Sequence, residues 1–435
     1  MTSHQAASGR AHIDAHTSSL AAEEDTSRWL RIAILALALP LFAQTFHYIK
    51  DLPPLWALSK AFPILSAPLA LALFWRRIPP DVAAWIAGFL WLVLTPSVMA
   101  IFAFDQSFFA GLTAQVKLLG MLHAASFLGL LLILRPSLDE LSVAFIIWAC
   151  AIAFALVALW AFAPLSWYTT GYEFGDAPFL SIDHRGPRIR MPIYFLLIGL
   201  FFAFRRTLSQ TSARDIAMVL GALALAIFVV KTRAVIAASI GVLALVLIGT
   251  LRPTLRIVLF AVAFAGAIVL LQLPMAESLL DNGLASGADI RLTTLRKAIE
   301  FLGSNPINWL LGVGTFSPLD PGALARFFNH FFFLSDIGWF GLIFEYGVLG
   351  TVILLGLVLR VWLMGRQLRR RLRSPFLMAL QDFALFVLII SPIYPTMTLQ
   401  PGEVATIAAI FIYAGMVLRD DAEASGIAAP SGARS

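Results

Sequence analysis

The sequence predicts an all-α fold: a polytopic membrane helical bundle of about twelve transmembrane helices, with a large external loop that is itself partly helical. Three observations lead there. The 435 residues are 60% hydrophobic and 13% charged, with a mean hydropathy of +0.86, whereas soluble chains average about 45–50% apolar and about 25% charged. Apolar runs near the ~20 residues that a helix needs to cross a hydrocarbon core recur along the chain. Lysine and arginine concentrate on alternate connections between those runs, as the positive-inside bias requires.

In order, the runs fall at roughly 30–48, 55–75, 82–104, 112–134, 141–163, 191–204, 216–230, 234–251, 257–273, 338–358, 376–393 and 403–418. Residues 1–28 precede them as a polar segment with His4, His12, His16 and the acidic run Glu23–Glu24–Asp25. This segment lacks the basic start and short apolar core of a signal peptide, so it reads as a retained, disordered cytosolic tail. Residues 419–435 are Ala/Gly/Ser/Pro-rich and read as a second such tail. With the amino terminus inside, Arg76–Arg77, Arg135, Arg205–Arg206–Arg214, Arg252–Arg256, the Arg360–Arg373 cluster and Arg419 all fall on the inner side. Both termini are then cytosolic. The single cysteine, Cys150, excludes an intramolecular disulfide or a cysteine-based metal centre. The +6 net charge and pI of 9.7 reflect these flanking arginines rather than a nucleic-acid partner.

Two longer external connections, at about 164–190 and 274–337, break the bias because both are basic. The first carries His184, Arg185, Arg188 and Arg190, and the second Arg291, Arg296, Lys297, Arg326 and His330. A short external turn adds Lys231 and Arg233. Each arginine alone is explained by snorkelling toward headgroups. The set, placed against the topological bias, instead suits phosphate oxygens, which the guanidinium fork matches. Within the second loop, ADIRLTTLRKAIEFL reads as an amphipathic surface helix, with Ile290, Leu295, Ile299 and Leu302 near helical spacing and Asp289 at its cap. GSNPINWLLGVGTF then reads as a turn into an apolar segment.

Single residues carry open alternatives. His330 is either an interfacial histidine bonded to backbone or a base that accepts a hydroxyl proton. Asp336 either caps the helix starting near Ile337 or orients the base, or acts as one itself. Lys60 and Lys117 lie in apolar spans, where charge usually faces a cavity or partner; Lys117, mid-span, is the stronger cavity-lining candidate, with His123 at near-helical spacing. His47 and Lys60 are explained by nearby interfaces. The Gly-Val-Gly at 312–314 lacks the strand–turn–helix setting of a dinucleotide site, and no zinc-ligand pair, P-loop or nucleophile elbow is present.

Three stretches within 229–350 resemble the O-antigen ligase and polymerase superfamily of bacterial surface-glycan enzymes. They are VVKTRAVIAASIGV, RLTTLRKAIEFLGSNPINWLLGVGTF and NHFFFLSDIGWFGLIFEYGVLG. The span count and the single large late loop are similar too. The resemblance implies a metal-independent membrane glycosyltransferase without a cofactor, in the inner membrane. It would move a glycan from an undecaprenyl-pyrophosphate donor to a sugar hydroxyl, such as a glycan or lipid A-core acceptor. By position it implies Arg188, Arg190, Arg233 and Arg291 as pyrophosphate-binding residues and His330 as the base. Two departures stand out: Asn329-His330 replaces the ligases' His-Asn order, and RIRMPIY replaces the Gly and Asn-Pro that follow the smaller loop's arginine. Ligase against polymerase, and His330 against Asp336, therefore stay open. A transporter or flippase is the alternative from another class, kept alive by Lys60, Lys117 and Pro63.

Overall fold

The computed structural model describes residues 25–47, 49–74, 78–170, 178–183, 186–252, 255, 291–317, 326–328 and 332–424. The expected span at 257–273, most of the two tails, His184, Arg185 and His330 lie outside these residues. The helices are α1 (25–42), α2 (Pro53–Leu65), α3 (Ala67–Phe74), α4 (Pro80–Phe104), α5 (Phe108–Ala114), α6 (His123–Leu134), α7 (Leu138–Phe162), α8 (Tyr194–Ser209), α9 (Ala213–Leu225) and α10 (Arg233–Thr250). There follow α11 (291–302), α12 (Pro306–Leu311), α13 (Trp339–Leu372), α14 (Pro375–Ile390), the single turn α15 (Thr396–Leu399) and α16 (Pro401–Ala424). Among the described residues, eight helical stretches are long and apolar enough to cross a membrane, and α14 is a shorter apolar helix. The molecule is a polytopic helical bundle.

Boundaries follow local chemistry. Ser137 starts α7 with a capping box: its Oγ accepts from Glu140 N at 3.2 Å, and its own N–H donates to Glu140 Oε2 at 2.8 Å. Ser107 caps α5 by accepting from Ala110 N. The apolar run at 55–75 is divided at Ser66 into α2 and α3. The run at 112–134 starts earlier, as α5, and passes through a 3-10 segment, Gln115–Leu122, before α6. The packing centre is α16, whose first 18 residues are 78% buried while most other spans are about one-third buried or less. It packs along α6, and α13 and α14 pack side by side.

Charged contacts sort the helix ends into two faces. One face is arginine-rich. There Arg31 of α1 meets Glu140 of α7 at 2.6 Å, Arg360 of α13 meets Asp81 of α4 at 2.8 Å, and Arg206 of α8 meets Asp215 of α9 at 3.3 Å. Tyr413, midway along α16, donates to Pro136 O between α6 and α7.

The opposite face carries the longer connections. Here the fold departs from all-α. Residues Leu180–Asp183 (β1) and Gly186–Ile189 (β2) form an antiparallel hairpin, pairing Leu180 with Ile189 and Ser181 with Arg188. The alternation LSID/GPRI suits a half-buried ribbon, with Ser181 and Ile189 buried. The large loop is anchored by an aromatic cluster in which Phe104 of α4 and Phe344 of α13 pack with Phe301, Phe328 and Phe332. Phe328 and Phe332 stack at 3.8 Å.

α11 forms where the pattern places it, and the apolar segment after the turn adds the short helix α12. Asn305 caps α12, its side chain accepting from Ile307 N at 3.0 Å. The buried stripe of α11 differs from the expected one. Thr294, Ala298 and Leu302 are buried, whereas Ile299 is exposed and Leu295 half-buried. Ile290 and Asp289 lie outside the described residues. The helix has two apolar sides, one packed on the bundle and one, with Leu292 and Ile299, left open, as suits a helix lying on a membrane surface.

Candidate functional site

The longer-loop face gathers cations from two segments and a tyrosine from a third. Arg188 is carried inward on β2, is buried, and donates from Nη2 to Thr232 Oγ1 at 3.1 Å. Thr232 lies at a sharp reversal. A π-helical turn, Ala226–Val230, ends α9; Lys231 follows in left-handed conformation (φ 56°), and α10 starts at Arg233. The reversal packs against the hairpin closely enough that a Cβ at Gly186 would sit 3.6 Å from Lys231 Nζ. Arg188, Lys231 and the exposed Arg233 therefore share one corner of the molecule.

The second segment is the start of α11. Arg291, Leu292 and Leu295 face Asp336, Ile337 and Phe340 across a cavity of about 240 Å3, closed by Pro392 and Ile393. Asp336 lies in a 3-10 turn, Leu334–Ile337. The helix behind it starts at Trp339 with Gly338 as N-cap and no side-chain capping bond. The capping alternative for Asp336 is thereby removed. Burial pushes its carboxyl above the usual range, and the charge of Arg291 opposes that rise.

The third segment, between α14 and α15, supplies Tyr394. Burial pushes its hydroxyl up to about 12, with Glu403 and Asp336 adding to the rise and Arg190 opposing it. The residue as a whole remains partly exposed, so the crowding is local to the hydroxyl. Arg190, Tyr394, Asp336 and Arg291 thus form a chain of electrostatic neighbours from the smaller loop to the larger one. Arg190 is held by its backbone N–H, which donates to Phe179 O at 2.8 Å.

Of the two settings expected for Lys117, a cavity or a partner, the structure shows a partner. Lys117 lines neither this cavity nor the larger one between α7 and α9. Its Nζ lies 2.9 Å from Glu345 Oε2 and over the Tyr346 ring. Tyr346 Oη donates to Gln115 Oε1 at 3.0 Å, and Gln115 Nε2 to Thr315 Oγ1 at 3.0 Å. Gln106 holds the same strand of chain, donating to Thr315 O and accepting from Ser317 N. His123 does not share this environment: it is fully buried, with Nδ1 2.7 Å from Phe42 O and its ring among Phe42 and Phe62. Lys60 lies over Trp56.

The Gly-Val-Gly run serves the same region. α13 is broken at Gly347 (φ 69°, ψ 177°), and the carbonyls freed there are taken by Val313 N to Phe344 O at 2.8 Å and Gly314 N to Glu345 O at 3.2 Å. A Cβ at Gly312 would lie 2.5 Å from Gly347 N. These glycines let two backbones meet.

Among the described residues, no group of three or more His, Cys, Asp or Glu is placed to hold a metal ion. Sequence reasoning missed Tyr394, Glu345 as a partner of Lys117, and Glu403. A carboxylate in the apolar run GEVATIAAIF was itself a usable signal for Glu403; nothing marked Tyr394. No protein-family model matches the chain, and no curated protein matches it. Fold and site together define a polytopic α-helical membrane protein with a basic, carboxylate-containing crevice on one face.

Proposed function

We propose that this protein transfers a glycan from an undecaprenyl-pyrophosphate-linked donor to a sugar hydroxyl at the outer face of a bacterial inner membrane, as an O-antigen ligase-like enzyme. In this reading the bundle has about twelve spans, both termini are cytosolic, and the longer-loop face is periplasmic. The acceptor oxygen attacks the anomeric carbon while the anomeric carbon–oxygen bond to pyrophosphate breaks, its electron pair leaving on the lipid pyrophosphate. The acceptor proton passes to a base, Asp336 or His330. Arg188, Arg190, Arg233 and Arg291 stabilise the charge that grows on the leaving group.

The observation that carries the reading is the cavity in which Arg291 of the larger loop and the half-buried Asp336 line facing walls, with burial raising the carboxyl and Arg291 opposing the rise. Cations for a departing pyrophosphate and a group able to accept a proton are neighbours, which is what such a transfer needs.

One observation favours a transporter. Lys117 and Glu345 pair within two apolar stretches that both depart from α geometry, as ion-binding segments of transporters do. The cations at the loop face weigh the other way.

The test is deletion of the gene in its native host, with gel analysis of surface glycans and complementation by wild type, Arg291→Ala and Asp336→Asn. Full-length chains accumulating on undecaprenyl carrier indicate a ligase, and single repeat units a polymerase of the same superfamily. An unchanged glycan profile, in a genome with no second copy, sinks the enzyme reading and favours the transporter.

A further inference from the structure

The two walls of the Arg291–Asp336 crevice belong to two arms that meet at one place. One arm is the start of α13. Residues 339–346 are set off as a short helix by Gly338 (φ 51°, ψ −117°) and Gly347 (φ 69°, ψ 177°), whose positive φ interrupts helical backbone. Its near end carries the 3-10 turn with Asp336, folded back so closely that a Cβ at Gly341 would run into Leu334 O. Trp339 Nε1 donates to Ser391 Oγ at 3.0 Å and fixes this end beside Pro392 and Ile393, which close the crevice.

The other arm is α11 with α12. At the bend between them Asn308 Nδ2 donates to Leu302 O at 3.2 Å and Trp309 Nε1 to Gly303 O at 2.9 Å, so the two helices hold one angle. Just beyond α12, Val313 and Gly314 donate to Phe344 O and Glu345 O. Both arms thus join at the last turn of the short helix, about 10 Å by helical rise from its Asp336 end.

Lys117 stands at that junction. Its Nζ reaches both Glu345 carboxylate oxygens, at 2.9 and 3.0 Å, and lies over the Tyr346 ring. Lys117 belongs to the 3-10 segment Gln115–Leu122, which packs on α4 and α16 in the bundle. Elsewhere the short helix is held by rings, with Phe344 among Phe104, Phe301, Phe328 and Phe332. Ring contacts are non-directional and leave the short helix free to roll about its axis. A largely buried contact through two carboxylate oxygens fixes the roll. Apolar side chains of similar volume would join the segments about as firmly without fixing it.

We propose that Lys117 and Glu345 are positioning residues: their pair fixes the junction of the two arms and so sets the spacing of Arg291 and Asp336 across the crevice. What that spacing serves rests on the glycan-transfer reading, in which cation and carboxylate meet one substrate from opposite walls. A misplacement of about 1 Å in such a site costs on the order of 100-fold in rate. The pair then has a use that calls for no transported ion.

Spin labels measure the spacing directly. Leu292 on α11 and Phe340 on the short helix are exposed and line opposite walls. Nitroxides on Leu292→Cys and Phe340→Cys, in full-length protein carrying Cys150→Ala, report the distance between the arms through spin–spin broadening of the EPR spectrum. Protein with the native pair is compared with Lys117→Arg, with Lys117→Met/Glu345→Gln and with Arg360→Gln. The last is the control, since it breaks the Arg360–Asp81 pair further along the same helix. The paired substitution strands no buried charge, so it tests position rather than stability. Monodisperse elution checks folding in each. We expect one narrow distance with the native pair, kept in Lys117→Arg and Arg360→Gln and lost in Lys117→Met/Glu345→Gln. A narrow distance that survives the paired substitution overturns the proposal. Equal loss in Lys117→Arg, where the charge remains, or in Arg360→Gln, overturns it too. None of these readings involves glycan transfer, whose own failure shows in the gel analysis of surface glycans.

Discussion

Lys117 Nζ lies 2.9 Å from Glu345 Oε2, and each residue stands where its chain leaves α-helical geometry. Lys117 is in the 3-10 segment that interrupts α5 and α6, and Glu345 is two residues before the break at Gly347. The pair ties two irregular stretches to each other, and Tyr346, Gln115 and Thr315 extend the tie to the Gly-Val-Gly run. Irregular backbone at membrane depth is tolerated where protein groups satisfy it. Here the carbonyls of Phe344 and Glu345 are satisfied by Val313 and Gly314.

Removing one member of this pair should cost more than removing both. Lys117→Met leaves the Glu345 carboxylate, whose side chain is 12% exposed, without its counter-charge. The loss is estimated at roughly 2–4 kcal/mol for a largely buried pair. The double variant Lys117→Met/Glu345→Gln should recover more than half of that. Thermal inactivation midpoints in detergent measure it; equal losses in single and double variants would contradict the coupling.

Gly347→Ala should be among the most damaging single-methyl additions in the chain. The position has φ 69° and ψ 177°, a region nearly confined to glycine, which costs other residues about 1–3 kcal/mol. The new Cβ also runs into Leu310 O, so strain and collision add. Gly415→Ala, where a Cβ meets nothing within 4 Å, is the control and should be close to neutral. Yield of monodisperse protein separates the two.

The two-faced arrangement can be tested in cells with single cysteines in a Cys150→Ala background. Thr170 beside the hairpin and Ser209 at the end of α8 are both exposed and lie on opposite faces. An impermeant maleimide should label Thr170→Cys on intact cells whose outer membrane has been made permeable. It should label Ser209→Cys only after the inner membrane is opened. The reverse pattern would turn the protein over and place the arginine crevice in the cytosol.

Much of this layout was legible in the sequence because hydropathy and arginine placement act through the bilayer, whatever the tertiary packing. The arginines assigned to one side do meet carboxylates there, as Arg31 with Glu140 and Arg360 with Asp81. The breaks at Ser66 and Gly347 were not legible, since an apolar run reads the same whether its helix is continuous or interrupted. The hairpin escaped notice because four-residue strands leave little periodicity. At the site, Arg188 and Arg291 were legible as basic residues in connections that the positive-inside bias assigns outside, and Asp336 as a carboxylate six residues after His330. Tyr394 was not, because a tyrosine near a span end is usually only an interfacial anchor.

Asp336 and Arg291 together predict a pH dependence. Burial raises the Asp336 carboxyl in the folded protein, so the folded state keeps its proton at pH values where the unfolded chain has lost it. Stability linked to this group is fully present below the unfolded pKa and falls as pH rises through the window up to the raised value. Asp336→Asn should therefore be neutral or stabilising at pH 7, while abolishing transfer if Asp336 is the base. Arg291 opposes the rise, so Arg291→Gln should move the acidic limb of the activity profile to higher pH. A limb that does not move would assign the base elsewhere, with His330 as the next residue to test.

The contact between Arg188 and Thr232 predicts a split between binding and turnover. Thr232 Oγ1 accepts from Arg188 Nη2 at 3.1 Å and fixes a buried guanidinium in the corner it shares with Lys231. Thr232→Val keeps the shape and removes the acceptor. A hydrogen bond to a charged group is worth about 1.5–3 kcal/mol, or roughly 10- to 150-fold in an equilibrium. Thr232→Ser, which keeps the hydroxyl, should restore function. If Arg188 only positions the pyrophosphate, the valine variant should raise KM for the lipid donor by about that factor with kcat little changed. If Arg188 also meets charge that develops as the donor bond breaks, kcat should fall as well, because that interaction exists only in the transition state. Steady-state kinetics with purified donor, for wild type and both variants, decide between these two roles. Arg188→Lys should fall with the valine variant, since an ammonium cannot bridge Thr232 and a phosphate oxygen with the same planar fork.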